Sequence, residues 1–352
     1  CYVVVSEMAK NKTGKKKIVV ASILAALAMQ TASVIDVAAA VGDQPSAAIA
    51  NGSVTSGKTN GLAIGNFASS GSNQSIAIGY YSVATATEAD PALPATAVGA
   101  GANATGQSTV ALGLLAQATS GSTTALGAKS VASEDAAVAV GYGTKATGNY
   151  ASALGADATA SNNDATAFGH GTVASGGSST ALGSRAKAGG TAGVGIGMLA
   201  NATNQYGVAI GGESSSSADN SIAIGRKSSV TGESGIAIGA FTTSKGANGV
   251  AVGTNGTKSD LGGVAVGQAA QSIAFNSVAT GMNVTAKGAN SVALGASATA
   301  NDDGTIAIGS YGSTPTKATG NRALAIGSAT TANGLESIAI GSRVNSTSQH
   351  SI

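Results

Sequence analysis

Residues 221–239 read SIAIGRKSSVTGESGIAIG, and this stretch contains one complete unit of the repeat that decides the fold. The tetrapeptide Ile222-Ala223-Ile224-Gly225 returns fourteen residues later, ending at Gly239. Related tetrapeptides end in glycine at every fourteenth residue from Gly99 to Gly309, which is fifteen steps in succession. A fixed period of this length indicates a repeat protein, in which each unit packs mainly against its two neighbours.

The repeat continues on both sides of this regular stretch, so that twenty motif glycines align between Gly65 and Gly341. Two intervals are longer than fourteen residues. Gly79 to Gly99 spans twenty residues, and Gly309 to Gly327 spans eighteen. We interpret both as insertions into an otherwise regular array. For the first, we expect Gly79 and Gly99 to stay in register while the extra residues bulge outward.

Each unit contains signals for two turns. Counted from Gly225 as zero, Ser228 stands at +3, Val230 at +5 and Gly232 at +7. Other units also place Gly, Asn or Asp at +7, and these residues tolerate positive φ and favour turns. A second turn must follow the motif glycine. Two turns seven residues apart leave two short strands, and stacked units of this kind form an all-β parallel solenoid.

A helical alternative fails because glycine recurs twice in most units, and each glycine costs about 1 kcal/mol in a helix interior. Twenty coils stacked at the strand spacing would make a rod ~95 Å long.

The three-residue strand of each unit has apolar side chains on both faces. In residues 221–225, the small Ser221 and Ala223 alternate with Ile222 and Ile224. The interior of a coil takes only one of these faces. Strands that are apolar on both sides are usually buried on both sides, so we expect the second face to meet another chain. The pattern leaves open which face does so.

Composition excludes several classes of protein. The chain has 52 Gly, no Trp, four Phe and seven Tyr, which is too few large side chains for an ordinary globular core, so Ala, Val, Ile and Leu should supply the interior. Charged residues are 10% and hydrophobic residues 43%, the reverse of disorder. From Val41 onward, thirteen Lys and Arg face fourteen Asp and Glu, which gives no net basic charge for nucleic acid or a membrane surface.

The N-terminal segment has the organisation of a secretory signal peptide. After Met8 come a Lys-rich stretch, the apolar residues 18–29, and small residues that end at Ala40. Twelve apolar residues are fewer than the ~20 that span a bilayer as a helix. We therefore expect cleavage after Ala40, with residues 1–7 belonging to sequence upstream of the true start.

The repeats resemble the head repeats of trimeric autotransporter adhesins, the YadA-like family. The resemblance is carried by Ile222-Ala223-Ile224-Gly225 followed by Ser228, and by Val292-Ala293-Leu294-Gly295 followed by Ser297 and Ala298. It covers about Leu62 to Val344. It implies a left-handed parallel β-roll, a homotrimer, type V secretion and virulence-related display on the outer membrane of a diderm bacterium. Family members bind extracellular matrix proteins, cell surfaces or one another.

The chain shows neither a heptad-patterned stalk nor C-terminal strands for an outer-membrane anchor, so we expect it to be part of a longer protein. The expected division is residues 1–40 as upstream sequence and signal peptide, and 41–61 as an N-terminal cap or degenerate coil. Residues 62–345 form the β-roll, with insertions near 80–98 and 310–326, and residues 346–352 continue beyond it.

Motifs for chemistry are weak. Residues 52–59, GSVTSGKT, match a phosphate-binding loop, but a repeat and no helix follows them, so we expect no nucleotide site. His170 and His350 have no second His or Cys nearby, which gives no basis for a metal site or a catalytic triad. The lone Cys1 provides no disulfide, and the calcium-binding nonapeptide is absent. We expect no enzyme activity and no cofactor.

The first insertion is the candidate ligand-binding loop, with Tyr81, Glu88 and Asp90 as candidate contact residues, because insertions in solenoids often carry function. The alternative is a tolerated loop without a role, and Pro315 and Thr316-Lys317 in the second insertion pose the same choice.

The favoured function is multivalent adhesion by a rigid repetitive head. The alternatives are a structural spike, such as a phage-fibre-like protein without an adhesive ligand, and an ice-binding protein, which lacks here the regular Thr-x-Thr ladder.

Overall fold

A computed structural model describes residues 47–49, 53–54, 60–86, 93–309 and 314–352, and every regular element in these ranges is a β-strand. Strands of three and of two residues alternate along the chain, one of each in every coil. The prediction of an all-β parallel solenoid with a period near fourteen residues is confirmed.

Twenty-one three-residue strands form one sheet, which we call sheet A. Their bounds are β1 (Ala47–Ile49), β3 (Leu62–Ile64), β5 (Ile76–Ile78), β7 (Thr96–Val98), β9 (Val110–Leu112), β11 (Thr124–Leu126), β13 (Val138–Val140), β15 (Ser152–Leu154), β17 (Thr166–Phe168), β19 (Thr180–Leu182), β21 (Val194–Ile196), β23 (Val208–Ile210), β25 (Ile222–Ile224), β27 (Ile236–Ile238), β29 (Val250–Val252), β31 (Val264–Val266), β33 (Val278–Thr280), β35 (Val292–Leu294), β37 (Ile306–Ile308), β39 (Leu324–Ile326) and β41 (Ile338–Ile340).

The two-residue strands form the second sheet, sheet B. Their bounds are β2 (Ser53–Val54), β4 (Ser69–Ser70), β6 (Val83–Ala84), β8 (Asn103–Ala104), β10 (Gln117–Ala118), β12 (Val131–Ala132), β14 (Lys145–Ala146), β16 (Thr159–Ala160), β18 (Val173–Ala174), β20 (Lys187–Ala188), β22 (Asn201–Ala202), β24 (Ser215–Ser216), β26 (Ser229–Val230), β28 (Thr243–Ser244), β30 (Lys258–Ser259), β32 (Gln271–Ser272), β34 (Thr285–Ala286), β36 (Thr299–Ala300), β38 (Lys317–Ala318), β40 (Thr331–Ala332) and β42 (Asn345–Ser346).

Each strand pairs in parallel with the equivalent strands one coil before and one coil after it. In sheet A, Ile222 is paired with Ile236, and the Ile222 N–H donates to the Gly235 carbonyl at 2.9 Å. In sheet B, Ser229 is paired with Thr243, and its N–H donates to the Thr242 carbonyl at 2.9 Å. These ladders hold the coils at the ~4.8 Å strand spacing.

The interior between the two sheets is filled by small side chains. The alternation in β25 buries Ala223 completely and turns Ile222 and Ile224 outward, and β35 repeats this arrangement around Ala293. The fully buried residues are nearly all Ala, Ser and Thr, and the largest are Val230 and Val284. The expectation that Ala, Val, Ile and Leu would supply the interior is therefore correct for Ala and wrong for Ile and Leu, and among the described residues Val contributes only Val230 and Val284.

The narrow gap between the sheets explains this composition. In the repeat that ends at Gly197, Gly195 replaces the central alanine of the motif. A Cβ on Gly195 would lie 2.4 Å from the Lys187 carbonyl oxygen of the opposite sheet. Side chains longer than a few atoms do not fit such an interior, so they occupy the outer face.

The motif glycine is required at the first turn for two reasons. Gly225 has φ +126°, a value that other residues rarely adopt. A Cβ at this position would also lie 2.6 Å from the carbonyl carbon and oxygen of Gly239 in the next coil. The turn then continues through Lys227, at +2, with φ 56°.

The second turn lies where the sequence predicts it, but the predicted reason for glycine at +7 is wrong. Positive φ occurs at +9, where Ser234 has φ 54°, and Gly232 at +7 is outside the positive-φ region. Gly232 is favoured because the next coil is close, since a Cβ there would lie 2.1 Å from the Gly246 carbonyl oxygen. Other coils accept Asn162 or Asp302 at +7.

Many buried hydroxyl groups donate to backbone carbonyl groups, and among the described residues those of Ser259, Ser291 and Ser337 have no partner. At +3, the Ser228 hydroxyl donates to the Gly225 carbonyl at 2.9 Å. Ser216 and Ser221 face each other across the interior with their hydroxyl oxygens 2.6 Å apart. Satisfied hydrogen bonds of this kind make a serine- and threonine-rich interior tolerable.

Both insertions leave the ladders unbroken. Across the first one, Ile76 is paired with Thr96 and Val83 with Asn103. Across the second, Ile306 is paired with Leu324. The prediction that Gly79 and Gly99 stay in register across the first insertion is confirmed. The predicted outward bulge of the first insertion lies in residues outside those described.

One coil shifts its sheet B strand within an unchanged period. Between Gly253 and Gly267, strand β30 begins five residues after the motif glycine instead of four. The first turn has thus gained one residue, and the second has lost one. The shift places Lys258 in the column of Thr243.

The strand pairs β1–β3 and β2–β4 extend both ladders into the segment expected to be a cap or degenerate coil. The proposed signal peptide, residues 8–40, lies outside the described residues. In the part that the structure describes, no helix is long and apolar enough to cross a membrane.

We expect Gly225→Ala to destabilise its coil by about 1–3 kcal/mol, because alanine meets both an unfavourable φ and the backbone of the next coil. Gly212→Ala is the matched control and should cost less, since Gly212 lies outside the positive-φ region and the nearest atom to a Cβ there would be 4.0 Å away. Hydrogen exchange of strands β23 to β28 and the thermal midpoint measure the difference. Equal losses in the two variants would contradict this account of the motif glycine.

Candidate binding surfaces

Each coil exposes four surfaces, and each surface is repeated along the stack. Two are the outer faces of sheet A and sheet B. The third, the glycine edge, consists of the residues that follow each motif glycine, such as Arg226 and Lys227. The fourth, the far edge, consists of the second turns at +7 to +9, such as residues 232–234.

The outer face of sheet A is apolar and carries no charged residue from β3 to β41. The third residue of each strand is Val, Ile, Leu or Phe, except for Thr280. The first residue is aliphatic in most strands, and the exceptions are Thr96, Thr124, Ser152, Thr166 and Thr180. In the single chain many of these side chains are exposed, including Leu112 at 41% and Ile340 at 61%.

The outer face of sheet B is polar. Its side chains come from the first residue of each two-residue strand and from the residue that follows the strand. Most are Ser, Thr, Asn, Gln or Lys, as in Thr159 and Ser161, or Thr285 and Lys287. The two sheets therefore differ sharply in polarity although they enclose the same interior.

The glycine edge carries an exposed aromatic cluster near the N-terminal end of the stack. Phe67 stacks on Tyr81 with ring centroids 4.6 Å apart, and Tyr80 contacts both rings edge-on at 6.1 and 4.4 Å. All three side chains are more than half exposed. Partial desolvation and the neighbouring Tyr81 raise the pKa of Tyr80.

The candidate loop residues are not brought together in the described structure. Tyr81 lies on the glycine edge, whereas the first insertion leaves and re-enters the stack between β6 and β7, at the far edge. Strand β6 separates the two. Glu88 and Asp90 lie outside the described residues, so their proposed role stays a prediction. Sequence reasoning missed Phe67 and Tyr80, although aromatic residues at +1 and +2 of successive units in so aromatic-poor a chain were a usable signal.

The two insertions lie on different edges. The second interrupts the chain between Gly309 and β38, which places it on the glycine edge. Pro315, Thr316 and Lys317 end it, and Thr316 is buried with its hydroxyl donating to the Gly327 carbonyl at 2.6 Å. Thr316 therefore has a structural role.

The phosphate-loop match and the two histidines form no candidate site for chemistry among the described residues. Ser53–Val54 of the phosphate-loop match form strand β2, and the other residues of the match lie outside the described residues. His170 is exposed on the glycine edge, and His350 pairs with Glu336 at 3.1 Å. Within the described ranges, no three His, Cys, Asp or Glu side chains come together in a group able to hold a metal ion.

Comparison with known families identifies a repeat family. The model of the YadA head domain repeat matches residues 56–87, 94–116, 118–144, 146–172, 174–199, 202–228, 231–255, 286–311 and 318–343. The matched segments cover well over half of the chain, and the coil with the shifted sheet B strand lies in the gap after residue 255. No curated protein matches the chain.

We expect deletion of Thr87 to Ala92 to leave the fold and the thermal midpoint nearly unchanged, because the ladders already continue across the insertion. The deletion restores a fourteen-residue interval between Gly79 and Gly99. Circular dichroism and thermal melting test the fold, and binding assays on the same protein test the loop. A collapsed fold would show that the insertion is structural, and retained binding would assign adhesion to the repeats.

Proposed function

The chain belongs to the YadA head repeat family, and on this basis we propose that it is the head of a trimeric surface adhesin that acts by binding and catalyses no reaction. The signal sequence predicted after Met8 would direct it out of the cytoplasm to the surface of a diderm bacterium. Three chains would lie side by side with their long axes parallel.

The outer face of sheet A is the observation that supports assembly into a trimer. It is apolar and uncharged along the whole array, whereas the outer face of sheet B in the same coils is polar. Monomeric soluble proteins rarely expose continuous apolar patches larger than a few hundred Å². Burial against neighbouring chains accounts for aliphatic side chains that the narrow interior excludes, so we assign sheet A to the subunit contact.

The remaining surfaces would then face outward for adhesion. A trimer repeats each outward position three times around its axis and every ~4.8 Å along it. Many weak contacts to a matrix protein or cell surface sum to a high avidity when they are held on one rigid body. Tyr81 with its aromatic neighbours and the loop residues Glu88 and Asp90 are our candidates for added specificity.

We expect the triple variant Ile210→Asp, Ile224→Asp and Ile238→Asp to dissociate the trimer while each coil stays folded, because all three side chains point outward from sheet A. A buried, unpaired carboxylate costs several kcal/mol. Sedimentation velocity and circular dichroism measure the two effects.

The matched control places three aspartates on the outer face of sheet B in the adjoining strands, as Ser215→Asp, Ser229→Asp and Thr243→Asp. This variant should remain trimeric. A stable monomer in the unmodified chain, or equal dissociation of both variants, would contradict the assignment of sheet A.

Adhesion itself is tested by measuring binding of the purified trimer to immobilised collagen, fibronectin and laminin and to whole cells. We expect binding to at least one of these surfaces, with an apparent affinity that falls steeply in the dissociated aspartate variant, because avidity requires several contacts on one body. If the trimer binds none of them, a structural spike replaces the adhesin as the better explanation.

A further inference from the structure

The near-neutral chain separates its charges between surfaces. Most acidic side chains of the described residues lie on the far edge, and most basic ones lie on sheet B or the glycine edge. The far edge carries Glu134, Asp135, Asp164, Asp219, Glu233, Asp302, Asp303 and Glu336, with Arg322 as its basic exception. The other two surfaces carry Lys129, Lys145, Arg185, Lys187, Arg226, Lys227, Lys245, Lys258, Lys287, Lys317 and Arg343, with Asp157, Glu213 and Asp260 as acidic exceptions.

Four of these lysines form a strip along the outer face of sheet B. Lys258 and Lys317 are the first residues of β30 and β38, and Lys245 and Lys287 directly follow β28 and β34. All four side chains are exposed. The backbone ladder continues through Lys245 and Lys287, whose N–H groups donate to the Ser259 and Ala300 carbonyls at 3.0 and 2.7 Å. The rigid stack therefore fixes the spacing of the four Cα atoms.

The spacing along the strip follows from the coil rise. Lys245 and Lys258 are one coil apart, and the two later steps, to Lys287 and to Lys317, are two coils each. At ~4.8 Å per coil, successive lysines stand ~5, 10 and 10 Å apart along the axis, and they alternate between two columns. A linear polyanion laid along the stack would meet all four within ~24 Å.

Among the described residues, no acidic partner neutralises the strip. None of its four lysines forms an ion pair with any residue of the described ranges. Asp260 is the one acid on this face, and its carboxylate accepts the Leu261 N–H at 2.9 Å. Asp302 and Asp303 follow Lys287 one coil later on the far edge, and Asp303 accepts the Ala289 N–H at 2.8 Å.

We propose that the strip of Lys245, Lys258, Lys287 and Lys317 binds a sulfated polysaccharide that runs along the outer face of sheet B. This inference rests on the proposed adhesive function, and it names a ligand class and a site for it. The assignment of sheet A to the subunit contact leaves sheet B accessible in the trimer. The side chains between the lysines, including Thr243, Thr285 and Thr299, offer hydroxyl groups for hydrogen bonds to sugars.

The same face is poorly suited to nucleic acid. Single strands are held by aromatic side chains on which bases stack. Between Thr243 and Thr319 the outer face of sheet B has no aromatic residue, and Ile273 is its one apolar side chain. Fixed cations interleaved with hydroxyl groups on a flat sheet match an extended polysaccharide whose charges lie at its periphery.

The test compares two variants of the full chain that lose the same charge. The strip variant carries Lys245→Gln, Lys258→Gln, Lys287→Gln and Lys317→Gln. The control carries Lys129→Gln, Arg185→Gln, Lys227→Gln and Arg343→Gln on the glycine edge. The probes are heparin, desulfated heparin and duplex DNA, titrated at two salt concentrations, and sedimentation verifies that both variants keep the assembly of the unmodified chain.

We expect the strip variant to bind heparin at least roughly tenfold more weakly and with a flatter salt dependence, and the control to change by less than about threefold, because fixed charges act over about one Debye length. Desulfated heparin and DNA should bind the unmodified chain more weakly than heparin.

Equal losses in both variants, or DNA binding as tight as heparin binding, would overturn the proposal in favour of diffuse charge attraction. If the chain binds cells and heparin does not compete, the polysaccharide site fails and adhesion stands. If it binds neither, the adhesive function fails with it.

Discussion

The parallel backbone ladder between successive coils is the constraint on which the rest of the structure depends. It fixes the coil rise at ~4.8 Å and requires every coil to trace nearly the same path. At the first turn this path brings the Gly239 carbonyl within 2.6 Å of where a Cβ on Gly225 would be, so the motif glycine recurs with the ladder. The fourteen-residue period is the sequence expression of this stacking.

The same path brings the two sheets close together, and the narrow interior decides where large side chains go. Ala223 and Ser228 fill the inside, and their small size leaves little apolar burial within one chain. Ile222 and Ile224 are too large for this interior and lie on the outer face of sheet A. A rod of this kind gains much of its hydrophobic stabilisation only when that face is covered, which links the thinness of the coil to oligomerisation.

The period predicted the strand number per coil, the parallel pairing and the continuity of the ladders across the first insertion, because each follows from repetition alone. The sequence left open which face of the sheet A strands lies inside, because Ile222 and Ala223 are both apolar. Only the narrow gap between the two sheets decides that the interior takes Ala223 and excludes Ile222. The role assigned to Gly232 was wrong for a related reason: its neighbour Gly246 is fourteen residues away, and a contact between coils is invisible in one unit. Tyr81 was grouped with Glu88 by proximity in sequence, although strand β6 lies between Tyr81 and the start of the first insertion.

Repetition of the backbone leaves the outward positions free to vary, and this freedom separates stability from recognition. The interior residues and the motif glycines keep the backbone path the same in every coil. Thr299 and Lys317 occupy the same column in successive coils, and this difference in side chain changes the surface without changing the ladder. Insertions are tolerated at the turns for the same reason, since residues added there stay outside both ladders. Because the positions of a column stand at a fixed rise, a few charged residues placed in the right coils define a linear binding site. Specificity in such a protein therefore depends on which coils carry a given side chain, and a single unit shows almost none of it.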